Sequence, residues 1–206
     1  MPDDADVHTR IASWIAARRT PHETLIVGID GAGAAGKSTV AAVLAGRLGA
    51  AVVAMDDFYR PAAERRTPEP HGWGSDFDHD RLRAEVLEPL VAGRQARYGV
   101  YDWQEDRVRA RARSVSRPIV LVEGIYVLQP SLRGFFDLAL WIDAPREERL
   151  RRGLERDGEA ERATWEQLWM PQEDRYMASV DARASADLIL DGSVEPPTIV
   201  HGPTDV

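Results

Sequence analysis

The chain has 206 residues, a formal net charge of −8 at neutral pH and no cysteine. Its length predicts one domain with a substantial core. The acidic balance disfavours nucleic acid or an anionic membrane as the main partner, and no apolar run approaches the roughly 20 residues that span a bilayer. Without cysteine there is no disulfide or thiol chemistry, which favours a cytoplasmic location.

The N-terminal residues predict a helix and no signal peptide. Met1 to Asp4 contain no basic segment of the kind that precedes a signal sequence. Val7, Ile11 and Trp14 recur at helical spacing, so we expect an amphipathic helix that ends near residues 20–21.

A phosphate-binding loop follows. Residues 25–29 form a short apolar run that predicts a buried parallel strand. Residues 31–38 then match the pattern G-x-x-x-x-G-K-[ST], and residues 38–49 are helical in composition. Strand, glycine loop and helix in this order direct backbone N–H groups and the positive helix end at phosphates. The predicted phosphate-binding residues are Gly31, Gly33, Ala34, Ala35, Gly36, Lys37, Ser38 and Thr39.

Lys37 is the only lysine among the 26 basic residues of the chain. A compact charge on a flexible stem suits the space around the β- and γ-phosphates better than the wide fork of an arginine. We expect Lys37 to bridge these phosphates, Ser38 to ligate Mg²⁺ and Thr39 to lie beside them. The guanine-reading element N-K-x-D of GTPases cannot occur, because the one lysine lies in the loop.

Four further apolar runs predict the rest of a central sheet. Helical segments separate most of them, which implies a mainly parallel, five-stranded sheet covered on both faces, a three-layer α/β fold. The runs are residues 51–55, 119–122, 138–142 and 188–190.

Carboxylates follow two of these strands. Asp56 and Asp57 come directly after the run at 51–55, and Glu123 follows the run at 119–122. Ligands gather beyond the carboxyl ends of parallel strands. We expect Asp56 to accept the proton of an attacking hydroxyl or to lie near Mg²⁺, and Glu123 to be a second acid near Mg²⁺. The alternatives are that one aspartate caps a turn and that Glu123 binds only loop N–H groups.

Two segments are candidates for contact with a second substrate. Residues 60–77 are rich in Pro, Gly, Arg and Glu and predict a long loop that covers the substrate, or an idle surface loop. In the acidic run at 76–80, one acid is expected to cap the next helix, and the others could bind sugar or polyol hydroxyls. Residues 96–113 predict a β-hairpin, on which Tyr101 and Trp103 either stack on a flat substrate ring or pack.

An arginine-rich helix is predicted at about residues 145–160. Arg146, Arg149, Arg152 and Arg156 share one helical face. Such a stripe beside a phosphate-binding loop could neutralise charge on a transferring phosphoryl group. The alternative is a solvated face on which Glu148 pairs with Arg152. We expect residues 1–192 to form a single domain and 193–206 a flexible tail.

In this order, the motifs resemble the uridine kinase/phosphoribulokinase family of P-loop kinases. The elements are GIDGAGAAGKST, MDDFYRP, DFDHD, VYDW, LVEGIYVL and RLRRGLERD, and they extend over roughly residues 25–190. The phosphate-binding loop alone is shared by many nucleotide-binding proteins, but its combination with the other elements is specific to this family.

The resemblance implies roles for individual residues. Asp56 is similar to the catalytic or Mg²⁺-associated acid of the family, and Asp78 to its ligand for sugar hydroxyls. Tyr59, Tyr101 and Trp103 fall at substrate positions, and Arg149, Arg152 and Arg156 resemble lid arginines. Where uridine kinases carry a base-contacting histidine, the chain reads Gln104-Glu105-Asp106.

The predicted activity is ATP- and Mg²⁺-dependent phosphorylation of a hydroxyl on a small molecule, first of all a nucleoside. Another sugar- or vitamin-like alcohol is the alternative acceptor, and a non-catalytic ATP-binding regulatory protein is the alternative class. Neither nucleic acid nor a membrane is an expected partner, and a homo-oligomer is left open.

Overall fold

Eight strands form two sheets in the computed structural model, which describes residues 6–21, 23–65, 72–204 and 206. In chain order the strands are β1 (Leu25–Asp30), β2 (Ala51–Ala54), β3 (Ala96–Asp102), β4 (Arg107–Val115), β5 (Ile119–Glu123), β6 (Leu138–Asp143), β7 (Leu188–Asp191) and β8 (Thr198–His201).

The central sheet has six strands in the order β2-β5-β1-β6-β7-β8. The first five are parallel, with Leu25 opposite Ile119 and Val27 opposite Leu138. The sequence predicts five strands, and that number is wrong because β8 adds an antiparallel edge strand beside β7. This strand lies within residues 193–206, which the sequence predicts to be a flexible tail. Four residues flanked by prolines carry too weak a pattern for detection.

Helices cover both faces of the sheet. They are α1 (Val7–Ala16), α2 (Lys37–Leu48), α3 (His79–Leu82), α4 (Glu88–Val91), α5 (Pro130–Arg133), α6 (Arg146–Asp157), α7 (Arg162–Thr164) and α8 (Met170–Ser179). One π-helical segment, Arg83–Leu87, joins α3 to α4, and another, Trp165–Trp169, joins α7 to α8. No described helix is both long and apolar enough to cross a membrane.

Two hydrophobic cores lie on opposite faces of the sheet. On one face α1 and α2 contribute Ile11, Trp14 and Leu44. On the other face the helix that begins with α3, the hairpin and α8 contribute Leu82, Tyr98 and Tyr176. Both faces of every central strand are therefore buried, as the all-buried pattern of β1 and β5 requires. The predicted three-layer α/β fold is confirmed.

The hairpin β3–β4 packs against the turn that follows β2. Phe58 stacks on Tyr98 with ring centroids 5.4 Å apart, and the guanidinium of Arg81 lies 4.5 Å from the Phe58 ring. Arg81 also donates to the backbone oxygens of Gly99 and Asp57. These contacts hold the hairpin at the carboxyl edge of the sheet.

The long loop at 60–77 is anchored at both ends. Tyr59 and Phe77 form an isolated antiparallel bridge, and Arg60 N donates to the Asp76 carbonyl oxygen at 2.8 Å. Residues 66–71, at the centre of the loop predicted to cover a substrate, lie outside the described residues.

Candidate active site

The phosphate-binding loop connects β1 to α2. Gly36 has φ of +102°, a conformation that L side chains rarely adopt, and α2 begins at the next residue. The N-terminal N–H groups of α2 therefore face the loop opening. Lys37 is 9% exposed, and its Nζ donates to the Ala32 carbonyl oxygen at 2.8 Å. The lysine is thus held across the mouth of its own loop.

Ser38 and Glu123 form a pair of oxygen ligands beside Lys37. The Ser38 hydroxyl lies 3.2 Å from both carboxylate oxygens of Glu123, at the end of β5. Burial raises the pKa of Glu123, and the Lys37 charge opposes this rise. No described cluster of His, Cys, Asp or Glu could hold a metal by itself. Mg²⁺ usually binds one or two carboxylates, phosphates and waters, so a hydroxyl and a carboxylate beside the loop fit it.

The two aspartates after β2 face different surroundings. Asp56 is exposed and lines a cavity at the loop, whereas Asp57 is buried and its Oδ2 accepts from Arg113 Nη1 at 2.8 Å. The charge of Asp56 also raises the pKa of Glu123, after burial, so the two carboxylates interact across the cavity. Of the two aspartates, Asp56 is therefore the one that is open to the cavity.

The cavity has a volume of about 920 Å³ and extends along both sides of the phosphate-binding loop. The strand order places β2 on one side of β1 and β7 on the other. We call one part the β2 end, which is lined by Asp56, Tyr59, Asp76, Phe77, Trp103 and Tyr126. The other part is the β7 end, which is lined by His8, Thr39, Val40, Val194, Glu195 and Pro197.

Aromatic side chains form a wall of the β2 end. Tyr59 and Trp103 stack with centroids 4.9 Å apart, and Trp103 is 63% exposed. Tyr101, which the sequence places in the substrate site, is buried and contacts Trp103 edge-on at 4.8 Å. Its hydroxyl donates to Asp106 Oδ1 at 2.6 Å. Tyr101 therefore supports the wall from behind, and only Tyr59 and Trp103 of the predicted aromatic residues line the cavity.

Asp78, the expected ligand for sugar hydroxyls, does not line the cavity. Its carboxylate caps α3 by accepting from Arg81 N at 3.1 Å, and both of its oxygens also accept from Arg60, at 3.1 and 3.2 Å. Asp76 lines the cavity in its place, and burial raises its pKa. The acidic run alone allows one cap and one hydroxyl ligand, and only the structure distinguishes the two acids.

Three of the four arginines in the stripe on α6, those that resemble lid arginines, lie in three different environments. Arg149 is 4% exposed and lies outside the cavity lining, with Nη1 2.6 Å from Glu173 Oε2. Arg152 lines the cavity and donates to the carbonyl oxygens of Gly192 and Ser193 at 2.7 and 3.1 Å. Arg156 also lines it, on the exposed side, where it pairs with Asp157.

Glu173 is a site residue that the sequence does not reveal. Its Oε1 accepts from the N–H of Gly33 in the phosphate-binding loop at 3.1 Å, while its Oε2 binds Arg149. A carboxylate therefore accepts the hydrogen bond of one backbone N–H group of the phosphate-binding loop, that of Gly33. In the sequence Glu173 is one of many glutamates in a helical segment, and no local pattern marks it.

Asp30 supports the loop from below. This fully buried carboxylate accepts from the N–H groups of Gly31, Tyr126 and Leu128 at 2.6, 3.2 and 2.8 Å. The hydroxyl of Tyr176 on α8 donates to it at 2.7 Å. Burial raises the pKa of Asp30 to about 6, although these hydrogen bonds and Lys37 oppose the rise. One side chain therefore ties together the start of the loop, the segment after β5 and α8.

A parallel sheet with a phosphate-binding loop, an adjacent hydroxyl–carboxylate pair and a free acid defines a P-loop kinase. A sequence model described as the phosphoribulokinase/uridine kinase family matches residues 26–181. The chain belongs to this family. Its members are kinases of small alcohols, and P-loop kinases in general use ATP with Mg²⁺.

Curated relatives agree with this assignment. The uridine kinase of Aliivibrio salmonicida is 28% identical over 188 residues, which cover 82% of this chain and 86% of that protein. The uridine kinase of Tolumonas auensis is 33% identical over 153 residues, which cover 67% and 70%.

Two solved structures share the fold. One, described as a possible uridine kinase from Bacillus stearothermophilus, has 23% identity and a TM-score of 0.67, with 87% of this chain and 94% of that chain covered. The other, a D-glycerate 3-kinase from Cryptococcus neoformans, has 12% identity and a TM-score of 0.57, with 96% and 98% covered.

Proposed function

We propose that this protein transfers the γ-phosphoryl group of ATP to a hydroxyl of a nucleoside. One observation carries the proposal: at the β2 end, two free acids and a stacked aromatic pair surround the space next to the phosphate-binding loop. An acid that can take a proton, an acid that can bind hydroxyls and a flat apolar wall match the parts of a nucleoside.

The donor phosphates would bind in the loop. Lys37 would exchange its bond to the Ala32 carbonyl oxygen for the β- and γ-phosphates, and the N–H groups around Gly36 would hold their oxygens. Ser38 and Glu123 would hold Mg²⁺, which when bound neutralises phosphate charge. Arg152 and Arg156 line the same cavity and would add positive charge near the transferred group.

Asp56 would prepare the acceptor. Its exposed carboxylate can accept the proton of the attacking hydroxyl while the oxygen forms its bond to the γ-phosphorus and ADP leaves. Asp76 would accept hydrogen bonds from neighbouring hydroxyls of the same molecule. Tyr59 and Trp103 would contact its ring.

A second acceptor class has support from Asp106. This carboxylate occupies the region where uridine kinases carry a histidine, and it accepts from the Tyr101 hydroxyl and from Ala62 N. Asp106 is held by these two donors and does not line the cavity, so no histidine-like contact to a pyrimidine base is available from this position. A sugar- or vitamin-like alcohol is therefore the alternative substrate.

The test is a panel of nucleosides, sugars and vitamin-like alcohols, each incubated with the protein, ATP and Mg²⁺, with ADP release and phosphorylated product measured. We expect nucleosides to give the largest kcat/KM, and Asp56→Asn to lower the rate of product formation by at least about a hundredfold. Preferential turnover of a non-aromatic alcohol would show that the acceptor is a sugar- or vitamin-like alcohol and not a nucleoside. If no acceptor stimulated ADP release, a non-catalytic ATP-binding role would replace the kinase.

A further inference from the structure

One peptide group of the phosphate-binding loop is held by hydrogen bonds at both of its ends. Lys37 Nζ donates to the carbonyl oxygen of Ala32 at 2.8 Å. The N–H of Gly33, which belongs to the same planar peptide group, donates to Glu173 Oε1 at 3.1 Å. The orientation of this peptide is therefore fixed by one side chain at the start of α2 and by another on α8.

The glycine at position 33 is explained by this contact and not by the loop motif. The pattern G-x-x-x-x-G-K-[ST] needs glycine only at positions 31 and 36. A Cβ atom on Gly33 would lie 2.6 Å from Glu173 Oε1 and 3.2 Å from the ring of Trp165. An alanine at this position would therefore have to displace the carboxylate. The sequence of the loop is matched to the glutamate on α8.

The charge of Glu173 is balanced by Arg149 on α6. Glu173 Oε2 accepts from Arg149 Nη1 at 2.6 Å, and the two residues are 5% and 4% exposed. Opposite charges attract strongly where water is excluded. Arg149 therefore holds the carboxylate in place with its other oxygen on the loop, and it weakens the repulsion between this carboxylate and a phosphate.

The helix that carries Glu173 is attached to the loop at a second point. Tyr176, one turn further along α8, donates to Asp30 Oδ2 at 2.7 Å, and Asp30 Oδ1 accepts from the N–H of Gly31 at 2.6 Å. Two residues of the loop are thus connected to α8, directly or through Asp30. Glu173 is pre-positioned by these contacts, so its bond to the loop costs little in ordering the side chain when a nucleotide binds.

Nucleotide binding removes one of the two contacts to the peptide between Ala32 and Gly33. Under the proposed function, Lys37 exchanges its bond to the Ala32 carbonyl oxygen for the β- and γ-phosphates. Of the two hydrogen bonds, only that of Glu173 then remains. Gly33 has no Cβ, so the peptide can change its orientation at low cost unless something holds it. Glu173 therefore fixes the loop at the stage when Lys37 no longer does.

We propose that Glu173 is a positioning residue for phosphoryl transfer, which holds the peptide between Ala32 and Gly33 in place while Lys37 binds the phosphates of the donor. The inference rests on the proposed function in one respect: Lys37 leaves Ala32 for the phosphates of ATP. It assigns a role to α8, which contains no part of the phosphate-binding motif.

The experiment compares two substitutions of similar size at position 173. Glu173→Gln keeps an oxygen that can accept from the N–H of Gly33, and Glu173→Met does not, while both remove the charge that pairs with Arg149. Calorimetry measures the Kd of Mg²⁺–ATP, and steady-state kinetics measures kcat and the KM of the acceptor. Relative to Glu173→Gln, we expect Glu173→Met to bind ATP about fivefold more weakly and to have a kcat about tenfold lower, the effect of one hydrogen bond. The KM of the acceptor should be the same in both.

Both single variants leave Arg149 buried without its partner, which can prevent folding. The same comparison is therefore made between Arg149→Met/Glu173→Gln and Arg149→Met/Glu173→Met, in which neither charge of the pair remains. Thermal melting shows which variants are folded at the assay temperature. We expect the same ratio of Kd values in this background, because Arg149 acts on the loop only through Glu173.

The matched control is Asp174, the next residue of α8. It pairs with Arg146 of α6 at 2.6 Å, but it does not line the cavity. Asp174→Asn and Asp174→Leu should agree within about twofold in ATP affinity and in kcat. Equal ATP affinity and equal kcat in the Gln and Met variants of Glu173 would overturn the proposal. Tighter ATP binding in both would also overturn it, because the carboxylate would then compete with the phosphates for the loop.

Failure of this inference is distinguishable from failure of the proposed function. If no acceptor is phosphorylated, the Kd of Mg²⁺–ATP still reports whether the side chain at position 173 supports the loop. If Glu173 has no such role, the acceptor panel still gives a phosphorylated product with the wild-type protein.

Discussion

The phosphate-binding loop and the β2 end of the cavity are built in different ways. The loop is one continuous segment that joins β1 to α2, and in a loop of this kind phosphate is bound mostly by backbone N–H groups. The β2 end combines side chains from the turn after β2, the loop at 60–77, the hairpin and the segment after β5. The first depends on local conformation and the second on tertiary packing.

This difference determines how far each region tolerates change in sequence. In the loop, glycines set the backbone and few side chains act, so a short motif specifies the function. At the β2 end one acid of each pair lines the cavity while the other is bonded elsewhere, as with Asp56 and Asp57 and with Asp76 and Asp78. The acceptor can therefore change within a family while the donor stays the same.

Loss of the loop lysine should have the largest effect. We expect Lys37→Met to lower kcat/KM by at least about a thousandfold, because no other described lysine or arginine lies within the loop to replace a charge on the transferring phosphate. Steady-state kinetics measures the loss, and circular dichroism checks that the fold is kept. Arg146→Met, on an exposed arginine of α6, is the control and should change activity less than about twofold. Normal turnover by Lys37→Met would refute the role of the loop.

The adjacent aspartates after β2 give the sharpest test of the β2 end. Asp56→Asn should reduce kcat by about a hundredfold to ten thousandfold and leave ATP binding intact, since only proton acceptance is lost. Asp57→Asn should instead weaken the bond to Arg113 and lower thermal stability, with a much smaller change in kcat. The opposite pattern would transfer the role of the base to Asp57.

The effect of Asp30, beneath the phosphate-binding loop, on the stability of the protein should depend on pH. Since the pKa of Asp30 is raised from 3.8 to about 6, the folded protein binds this proton more tightly than the unfolded chain does. Protonated Asp30 therefore stabilises the folded protein fully below about pH 4. This stabilisation is lost as the pH rises to about 6, and the free energy of unfolding falls by up to about 3 kcal/mol.

Asp30→Asn removes this titration. Urea unfolding of both proteins from pH 4 to pH 7 should show the stability of the wild type relative to the variant falling across that window. A difference that grows with pH would mean that its four hydrogen bonds favour the charged carboxylate more than burial opposes it.

The two acids at residues 76 and 78 should separate binding from stability. Asp76→Asn should raise the KM for the acceptor about tenfold, which corresponds to one charge-assisted hydrogen bond, without a change in melting temperature. Asp78→Asn should lower stability by about 1 kcal/mol through the α3 cap and the Arg60 pair, with the KM unchanged. If Asp78→Asn raised the KM instead, Asp78 would be the hydroxyl ligand after all.

Part of the fold follows from the sequence because its signals are local. The five apolar runs predict the parallel strands, and glycine spacing predicts the loop before α2. The sixth strand could not be predicted, because β8 is short and pairs with β7 only where the chain folds back. Residues outside the motifs cannot be assigned to the cavity from the sequence, and His8, which lines the cavity, is one of them.

By itself, the sequence determines the nucleotide end of this protein. A strand, a glycine turn and a lysine at the start of a helix together place backbone N–H groups at a helix N-terminus. Such groups bind phosphate with little help from distant side chains. Tertiary structure alone decides which charged side chains are free, since Asp78 is paired with Arg60 and Arg149 with Glu173 through contacts between distant segments. A side chain can act on a ligand only if no neighbour in the folded chain already holds it.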